Sequence, residues 1–167
     1  MNAKGFPRSA DLGKGRYSEA YGLYNITKCC STGADLSDNQ RQDVVDALLY
    51  FRGKGKLYLQ AFVVMPDHFH LLMNLTDAYA LDICMNQLER RASFPSRSNG
   101  SSMPWQERFH DHKIRSGESV LDLVNYIEQN PVRGELVEKA EDWQWSSANP
   151  EYEDKLDREF LGLDRWE

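Results

Sequence analysis

The sequence is poor in cysteine and has no long apolar run. Its three cysteines, Cys29, Cys30 and Cys84, form no C-x-x-C pair, which fits neither a disulfide framework nor a zinc ribbon. No window approaches the ~18 apolar residues that a membrane span needs, and no apolar segment follows a basic start at the N-terminus. We therefore expect a soluble, cytoplasmic protein of one domain, with no membrane partner.

The sequence also lacks the excess of positive charge that is typical of nucleic-acid-binding proteins, since its net charge is −6. The charge is unevenly distributed. Residues 1–117 hold 15 Lys and Arg against 12 Asp and Glu, whereas residues 118–167 hold 5 against 14. Local basic clusters in the first part supply four candidates for phosphate contacts, Lys14, Arg16, Lys54 and Lys56. A solvated loop surface is the ordinary explanation of any one such cluster.

The periodicity of apolar residues predicts alternating strands and helices. Strands are predicted in residues 16–30, 56–66, 68–75 and 105–114. Helices are predicted after a capping box at Ser37 and Gln40, in residues 78–94, and from Ser116 or Ser119 up to Pro131. Residues 93–104 are rich in Ser, Gly and Pro, which predicts a flexible loop. The order β-α-β-β-α-β, with an added C-terminal helix and a polar tail, predicts an α+β fold with a ferredoxin-like antiparallel sheet.

Two histidines one residue apart interrupt the apolar segment VVMPDHFHLLM, residues 63–73. Because side chains alternate along a strand, His68 and His70 should point to the same face, where they could converge on one metal ion. A pair of hydrogen-bonded core histidines is the ordinary explanation of an isolated H-x-H. The second pair, His110 and His112, is flanked by charged residues, which predicts an exposed strand edge that is suited to phosphate contact or to solvent.

The last predicted helix carries a tyrosine and an asparagine one turn apart. At ~100° per residue, Tyr126 and Asn130 lie roughly 40° from each other, at the edge of the apolar stripe. From there they could reach a metal ion that is held by the sheet. The ordinary alternatives are an amphipathic tyrosine with its hydroxyl in water, and an asparagine that ends the helix before Pro131.

Taken in order, these motifs resemble a known family. The segments MPDHFHLLM, WQERFHDHKIR, YIEQNPVRGELV and WQWSSA are similar to those of the single-tyrosine HUH transposases (IS200-like), and most closely to the REP-associated tyrosine transposases. The resemblance covers residues 17–149. It divides the chain into an N-terminal arm (residues 1–16), a transposase domain (residues 17–149) and an acidic C-terminal tail (residues 150–167).

The resemblance implies a site and a reaction. His68, His70 and Asn130 would bind a divalent cation, Mg²⁺ or Mn²⁺, and Tyr126 on the last helix would be the catalytic nucleophile. Attack on single-stranded DNA next to a hairpin would give a 5′-phosphotyrosyl enzyme and a free 3′-hydroxyl. A second 3′-hydroxyl would then rejoin the strand. The resemblance also favours a monomer over a homodimer.

Two other functions fit the same residues. A nucleic-acid-binding module on a ferredoxin-like scaffold would bind DNA without cleaving it, and its histidines would be structural. A metal-dependent hydrolase would use water as the nucleophile, and Tyr126 would only orient the substrate. A covalent conjugate between protein and DNA separates the transposase from both alternatives.

Overall fold

The structure is a computed structural model that describes residues 22–76 and 81–160. The described chain forms, in order, β1 (Leu23–Cys29), α1 (Asp38–Gly53), β2 (Leu57–Val64), β3 (His68–Leu75), α2 (Leu81–Ser98), β4 (His110–Lys113), α3 (Val120–Glu128) and α4 (Asn130–Arg133). Short 3₁₀-helical turns follow at Ala140–Asp142, Pro150–Lys155 and Arg158–Phe160. The predicted arm, residues 1–16, lies outside the described residues, and so do Lys14 and Arg16.

The four strands form one antiparallel sheet in the order β2-β3-β1-β4. The long central strands β1 and β3 pair over their whole lengths, from Leu23 opposite Asn74 to Cys29 opposite His68. The short β4 lies at one edge of the sheet. This topology confirms the predicted α+β class with a ferredoxin-like antiparallel sheet.

The two faces of the sheet carry different helices, because alternate residues of each strand point to opposite sides. On one face Ile26, Phe62 and Leu71 belong to a core cluster with residues of α1 and α2. On the other face Leu72 belongs to a smaller cluster with Val124 and Ile127 of α3. His68 and His70 lie four and two residues before Leu72 on β3, so they point to this second face, beside α3.

Residues 143–157 run along the outer edge of β2, and we call them the C-terminal strap. The Val64 N–H donates to the Trp145 carbonyl at 2.8 Å, and the Ser147 N–H donates to the Phe62 carbonyl at 2.9 Å. Farther along, the Asp157 carboxylate accepts the Leu59 N–H at 2.7 Å. Strand β2 therefore has partners on both sides. The division into a domain and a tail at residue 149 stays a prediction.

The helix α1 and the strand β3 agree with the sequence. Ser37 and Gln40 make both hydrogen bonds of the predicted capping box, and α1 ends at Gly53 as predicted. The strand β3 occupies residues 68–75, also as predicted. None of the helices within the described residues is long and apolar enough to span a membrane.

Two predicted elements were wrong in extent. The predicted loop at residues 93–104 begins as helix, since α2 continues to Ser98 with Pro95 inside it. Buried Ala92 and Ser96 extend the stripe of buried residues from Leu88 at a spacing of four, so packing against the core outweighs the loop-like composition. The fourth strand is shorter than residues 105–114, because only His110–Lys113 pair with β1, and Trp105 makes an isolated bridge to Cys30.

Candidate active site

The first part of the site is the pair of histidines at the start of β3. The turn before it is closed by the Met65 N–H, which donates to the His68 carbonyl at 2.8 Å. In the sheet His68 lies opposite Cys29, and His70 lies opposite Thr27. The two imidazole centroids are 4.9 Å apart. The predicted convergence of the two rings on one face is therefore present.

Each imidazole is oriented through its Nδ1 atom. The His68 Nδ1–H donates to the Asp67 carboxylate at 2.7 Å, and His70 Nδ1 lies 2.9 Å from the Thr27 hydroxyl. Contacts at Nδ1 fix the orientation of a ring and leave Nε2 to bind another group. Among the described residues, neither Nε2 atom has a hydrogen-bond partner. This pattern suits metal-binding histidines.

His70 is held in its neutral form. The pKa of His70 is lowered to about 4, chiefly by burial and also by the nearby charges of His68 and Arg133. At neutral pH the ring therefore keeps a lone pair. Only a neutral imidazole can bind a metal ion.

The second part of the site is Tyr126 on α3. Buried Val124 and Ile127 anchor this helix on the sheet, while the Tyr126 side chain stays 53% exposed. The Tyr126 ring centroid lies 6.2 Å from that of His70. Ser119 caps the start of the helix by accepting the Asp122 N–H at 3.2 Å. The packing of α3 thus brings the tyrosine to the histidine pair.

The end of α3 is fixed by the C-terminal strap. The Glu128 carboxylate accepts a hydrogen bond from the Ser147 hydroxyl at 2.7 Å and forms an ion pair with Arg158. Ser147 is itself bonded to β2, because its hydroxyl accepts the Phe62 N–H at 3.0 Å and its own N–H donates to the Phe62 carbonyl. The orientation of α3 is therefore coupled to the edge of the sheet.

Asn130 follows a break in the helix. The helix α3 ends at Glu128, and α4 begins at Asn130 with Pro131 in its first turn. Proline fits the first turn of a helix because the missing N–H has no helical acceptor there. The Asn130 carbonyl accepts the Gly134 N–H at 2.9 Å. Within the described chain the Asn130 amide makes no hydrogen bond to either histidine, so its predicted role as a ligand stays a prediction.

Arg133 is a site residue that the sequence analysis missed. Its guanidinium carbon lies 4.0 Å from the centroid of the Tyr126 ring, and its Nη2 donates to the Tyr126 carbonyl at 2.6 Å. The segment NPVR is part of the resemblance to the family, but the resemblance assigns no role to its arginine. The sequence signal for this contact is an arginine seven residues after Tyr126, which is farther than the three or four residues that separate neighbours on a helix.

The other candidate residues lie apart from the histidine pair. Lys54 and Lys56 border a cleft with Tyr50, between α1 and α2. The register of β2 and β3 places Lys56, next to Leu57, at the end of the sheet opposite to His68. Whether these lysines contact DNA stays a prediction.

The second histidine pair lies on the edge strand β4 and is exposed, as predicted. His110 pairs with Thr27, which is also opposite His70, so all three side chains share one row across the sheet. His112 Nε2 lies 2.8 Å from the Glu118 carboxylate. The hydrogen bond from His112 is the main cause that lowers the pKa of Glu118. The exposed edge strand therefore continues the polar surface on which His70 lies.

The histidine pair fits a metal ion only if other kinds of ligand complete the set. In residues 22–76 and 81–160, no group of three or more His, Cys, Asp or Glu side chains could hold an ion. Two oriented imidazoles, of which His70 is half-buried and neutral, supply two nitrogen ligands. Among the described residues, a third protein ligand would have to be an amide, a hydroxyl or a backbone carbonyl, and DNA or water would supply the remainder.

Comparisons with known proteins point to one family. A family model described as IS200-like transposase matches residues 25–130. The chain is 30% identical over 131 residues to a protein of Haemophilus influenzae that is named as a REP-associated tyrosine transposase, with 67% of this chain and 74% of that protein covered. It is 28% identical over 114 residues to a REP-associated tyrosine transposase of Escherichia coli, with 68% of each covered.

The fold has a counterpart among solved structures. A structure of a REP-associated tyrosine transposase bound to a REP hairpin superposes with a TM-score of 0.64. The two chains are 23% identical, and the superposition covers 80% of this chain and 79% of that one. At this identity the likeness shows that the two proteins share a fold.

Proposed function

The chain belongs to the IS200-like transposase family, and from this premise we propose that it is a REP-associated tyrosine transposase that cleaves and rejoins single-stranded DNA beside a hairpin. One observation carries the mechanistic part of the proposal. The exposed ring of Tyr126 lies 6.2 Å from His70, on the sheet face where His68 and His70 stand together. A nucleophile beside two imidazoles that can bind a metal ion is an arrangement that can support phosphoryl transfer to tyrosine.

The proposed reaction is a transesterification at phosphorus. The Tyr126 hydroxyl forms a bond to the phosphorus atom, and the bond from phosphorus to the 3′ oxygen breaks. The phenol gives up its proton, and the departing 3′ oxygen gains one. The product is a 5′-phosphotyrosyl enzyme with a free 3′-hydroxyl. Attack by another 3′-hydroxyl reverses the same bonds, rejoins the strand and restores Tyr126.

The proposed cofactor is Mg²⁺ or Mn²⁺, held by His68, His70 and Asn130. When bound, such an ion polarises the phosphoryl oxygens and offsets the charge that develops on them. The chain prepares its own ligands for this role. Asp67 and Thr27 fix the two rings through Nδ1, and burial keeps His70 neutral.

The proposed partner is single-stranded DNA with a hairpin, bound by a monomer. The solved structure with the same fold is that of a transposase bound to a REP hairpin, which supports this class of substrate. Lys54 and Lys56 lie far from the histidine pair, so any phosphate they contact would belong to DNA away from the cleaved bond.

A DNA substrate is also the reason that we propose a cytoplasmic location. The arm, domain and tail boundaries at residues 16 and 149 remain part of the proposal.

A denaturing gel tests the function. An oligonucleotide with a hairpin and a single-stranded flank, labelled at its 3′ end, is incubated with the protein and Mn²⁺. We expect a labelled band at the mass of protein plus DNA, which EDTA and Tyr126→Phe abolish. The matched control is Tyr50→Phe, since Tyr50 is also exposed and lies under the guanidinium of Arg91, but on α1. It should leave the band unchanged.

The denaturing gel, together with a native gel, separates the two alternatives. A binding module would retard the oligonucleotide on a native gel and give neither a cleaved strand nor a conjugate. A hydrolase would give the cleaved strand without a conjugate, and Tyr126→Phe would keep some of that activity. Either pattern for the unmodified protein would refute the proposed mechanism.

A further inference from the structure

We propose that Arg133 positions Tyr126 and binds the phosphate that Tyr126 attacks. This inference rests on the proposed function and assigns a role to a residue outside the histidine pair and the nucleophile. It starts from the two contacts of one guanidinium with one residue: Nη2 bonds to the Tyr126 carbonyl at 2.6 Å, and the guanidinium carbon lies 4.0 Å from the centre of the Tyr126 ring.

The first contact has a structural reason. Pro131 has no N–H, so the hydrogen-bond series of the helix is interrupted between α3 and α4. Arg133 reaches back across this break and donates to a carbonyl in the last turn of α3. A cation at the C-terminus of a helix is also favoured by the helix dipole. Arg133 thus fixes the turn that carries the nucleophile.

The second contact fixes the ring itself. A guanidinium over an aromatic face is attracted by the negative charge density of the ring. Because Tyr126 is 53% exposed, few other contacts restrain its ring, and the ring of His70 at 6.2 Å is the neighbour on the sheet side. Arg133 therefore restricts the directions in which the hydroxyl can point.

The rest of the guanidinium is available to a ligand. An arginine has five N–H groups, of which the Tyr126 carbonyl engages one. Within the described residues, the others have no hydrogen-bond partner, and the side chain is exposed. The planar fork of a guanidinium matches two oxygens of a phosphate. Since the guanidinium carbon lies 4.0 Å from the ring centre, a phosphate bound next to the Tyr126 ring would lie within reach of these N–H groups.

A purely structural role is the competing explanation, and the chain contains a matched control for it. Arg97 is exposed on α2, and its Nη2 donates to the Arg90 carbonyl at 3.3 Å, also seven residues earlier. Arg97 lies on the opposite face of the sheet from Tyr126. Arg97→Gln therefore removes the same kind of helix contact without touching the site.

The test measures binding without cleavage. In a Tyr126→Phe background and in EDTA, the Kd is measured for a hairpin oligonucleotide whose cleavable phosphate is either normal or replaced by an uncharged methylphosphonate. The cleavage position is first mapped with the unmodified protein. With Arg133 present, the replacement should weaken binding about tenfold or more, since it removes a charge-assisted hydrogen bond. In Arg133→Gln the two oligonucleotides should bind equally, and in Arg97→Gln the difference should persist.

The effect of Arg133 on the position of Tyr126 is measured separately, as the rate of conjugate formation at saturating DNA. Arg133→Gln should lower this rate about ten- to a hundredfold. Arg133→Lys, which keeps the charge but not the fork, should recover part of it. Thermal unfolding of all three variants shows whether they fold. Arg133→Lys provides the measurement if Arg133→Gln is too unstable.

Two outcomes overturn the inference, and they can be told apart. If Arg133→Gln still discriminates between the two oligonucleotides, or forms conjugate at the normal rate, Arg133 is only a helix contact. If the unmodified protein forms no conjugate with any hairpin substrate, the proposed function fails first, and the role of Arg133 fails with it.

Discussion

Acid should destabilise the metal-free protein through His70. In the folded chain burial holds the pKa of His70 at about 4, whereas an unfolded histidine titrates near its ordinary value of 6.5. Between these two values the unfolded chain binds a proton that the folded chain does not. The contribution of neutral His70 to the free energy of unfolding is therefore fully present above pH 6.5 and is lost as the pH falls toward 4.

The magnitude follows from the two pKa values. From pH 8 to pH 5, the free energy of unfolding should fall by about 2 kcal/mol through this one residue. Urea denaturation in EDTA at several pH values measures the loss, and His70→Gln should remove about that much of it. His110→Gln, an exposed histidine in the same row of the sheet, should leave the loss in place. An identical pH dependence in His70→Gln and the unmodified protein would refute the reasoning.

Two further predictions concern the supports of the site. Thr27→Val removes the hydroxyl that contacts His70 Nδ1 at 2.9 Å, so Mn²⁺ affinity, measured by calorimetry, should fall about tenfold or more while the protein stays folded. Asp157→Ala removes the partner of Arg52 and of the Leu59 N–H, and should lower the free energy of unfolding in urea by about 2–3 kcal/mol.

Each of these variants has a control in the chain. Thr76→Val removes a hydroxyl that bonds to the Gly55 carbonyl, at the other end of the sheet, and should not change Mn²⁺ affinity. Asp154→Ala removes an exposed carboxylate within the strap and should lower the free energy of unfolding by less than about 0.5 kcal/mol. Equal effects of a variant and its control would show that the contact assigned to Thr27 or Asp157 has no special role.

The elements that could be predicted are those with a strong local pattern. The strand at residues 68–75 lies in an apolar segment and has a turn before it, and side chains alternate along any strand, so the shared face of His68 and His70 follows from local geometry. The capping box at Ser37 and Gln40 likewise involves residues three apart, and both of its hydrogen bonds are present. Local rules are reliable where the interacting residues are near each other in the chain.

The features that could not be predicted depend on distant residues. The Ser- and Pro-containing end of α2 is helical because Ala92 and Ser96 pack on the core, which composition does not reveal. In the sequence Asp157 is one of several acidic residues in a polar segment, and nothing local indicates that it pairs with Arg52, 105 residues earlier. The contact of Arg133 with Tyr126 spans the break between α3 and α4, where simple helical spacing no longer applies.

The central claim is that Tyr126 is the residue that attacks DNA. The measurement that tests it most directly is proteolysis of the purified conjugate, followed by mass spectrometry of the peptide that carries the nucleotide. We predict that the peptide containing Tyr126 carries a 5′-linked nucleotide, formed only when Mg²⁺ or Mn²⁺ is supplied. A nucleotide on another tyrosine, or a cleaved strand with no nucleotide on the protein, would contradict the claim.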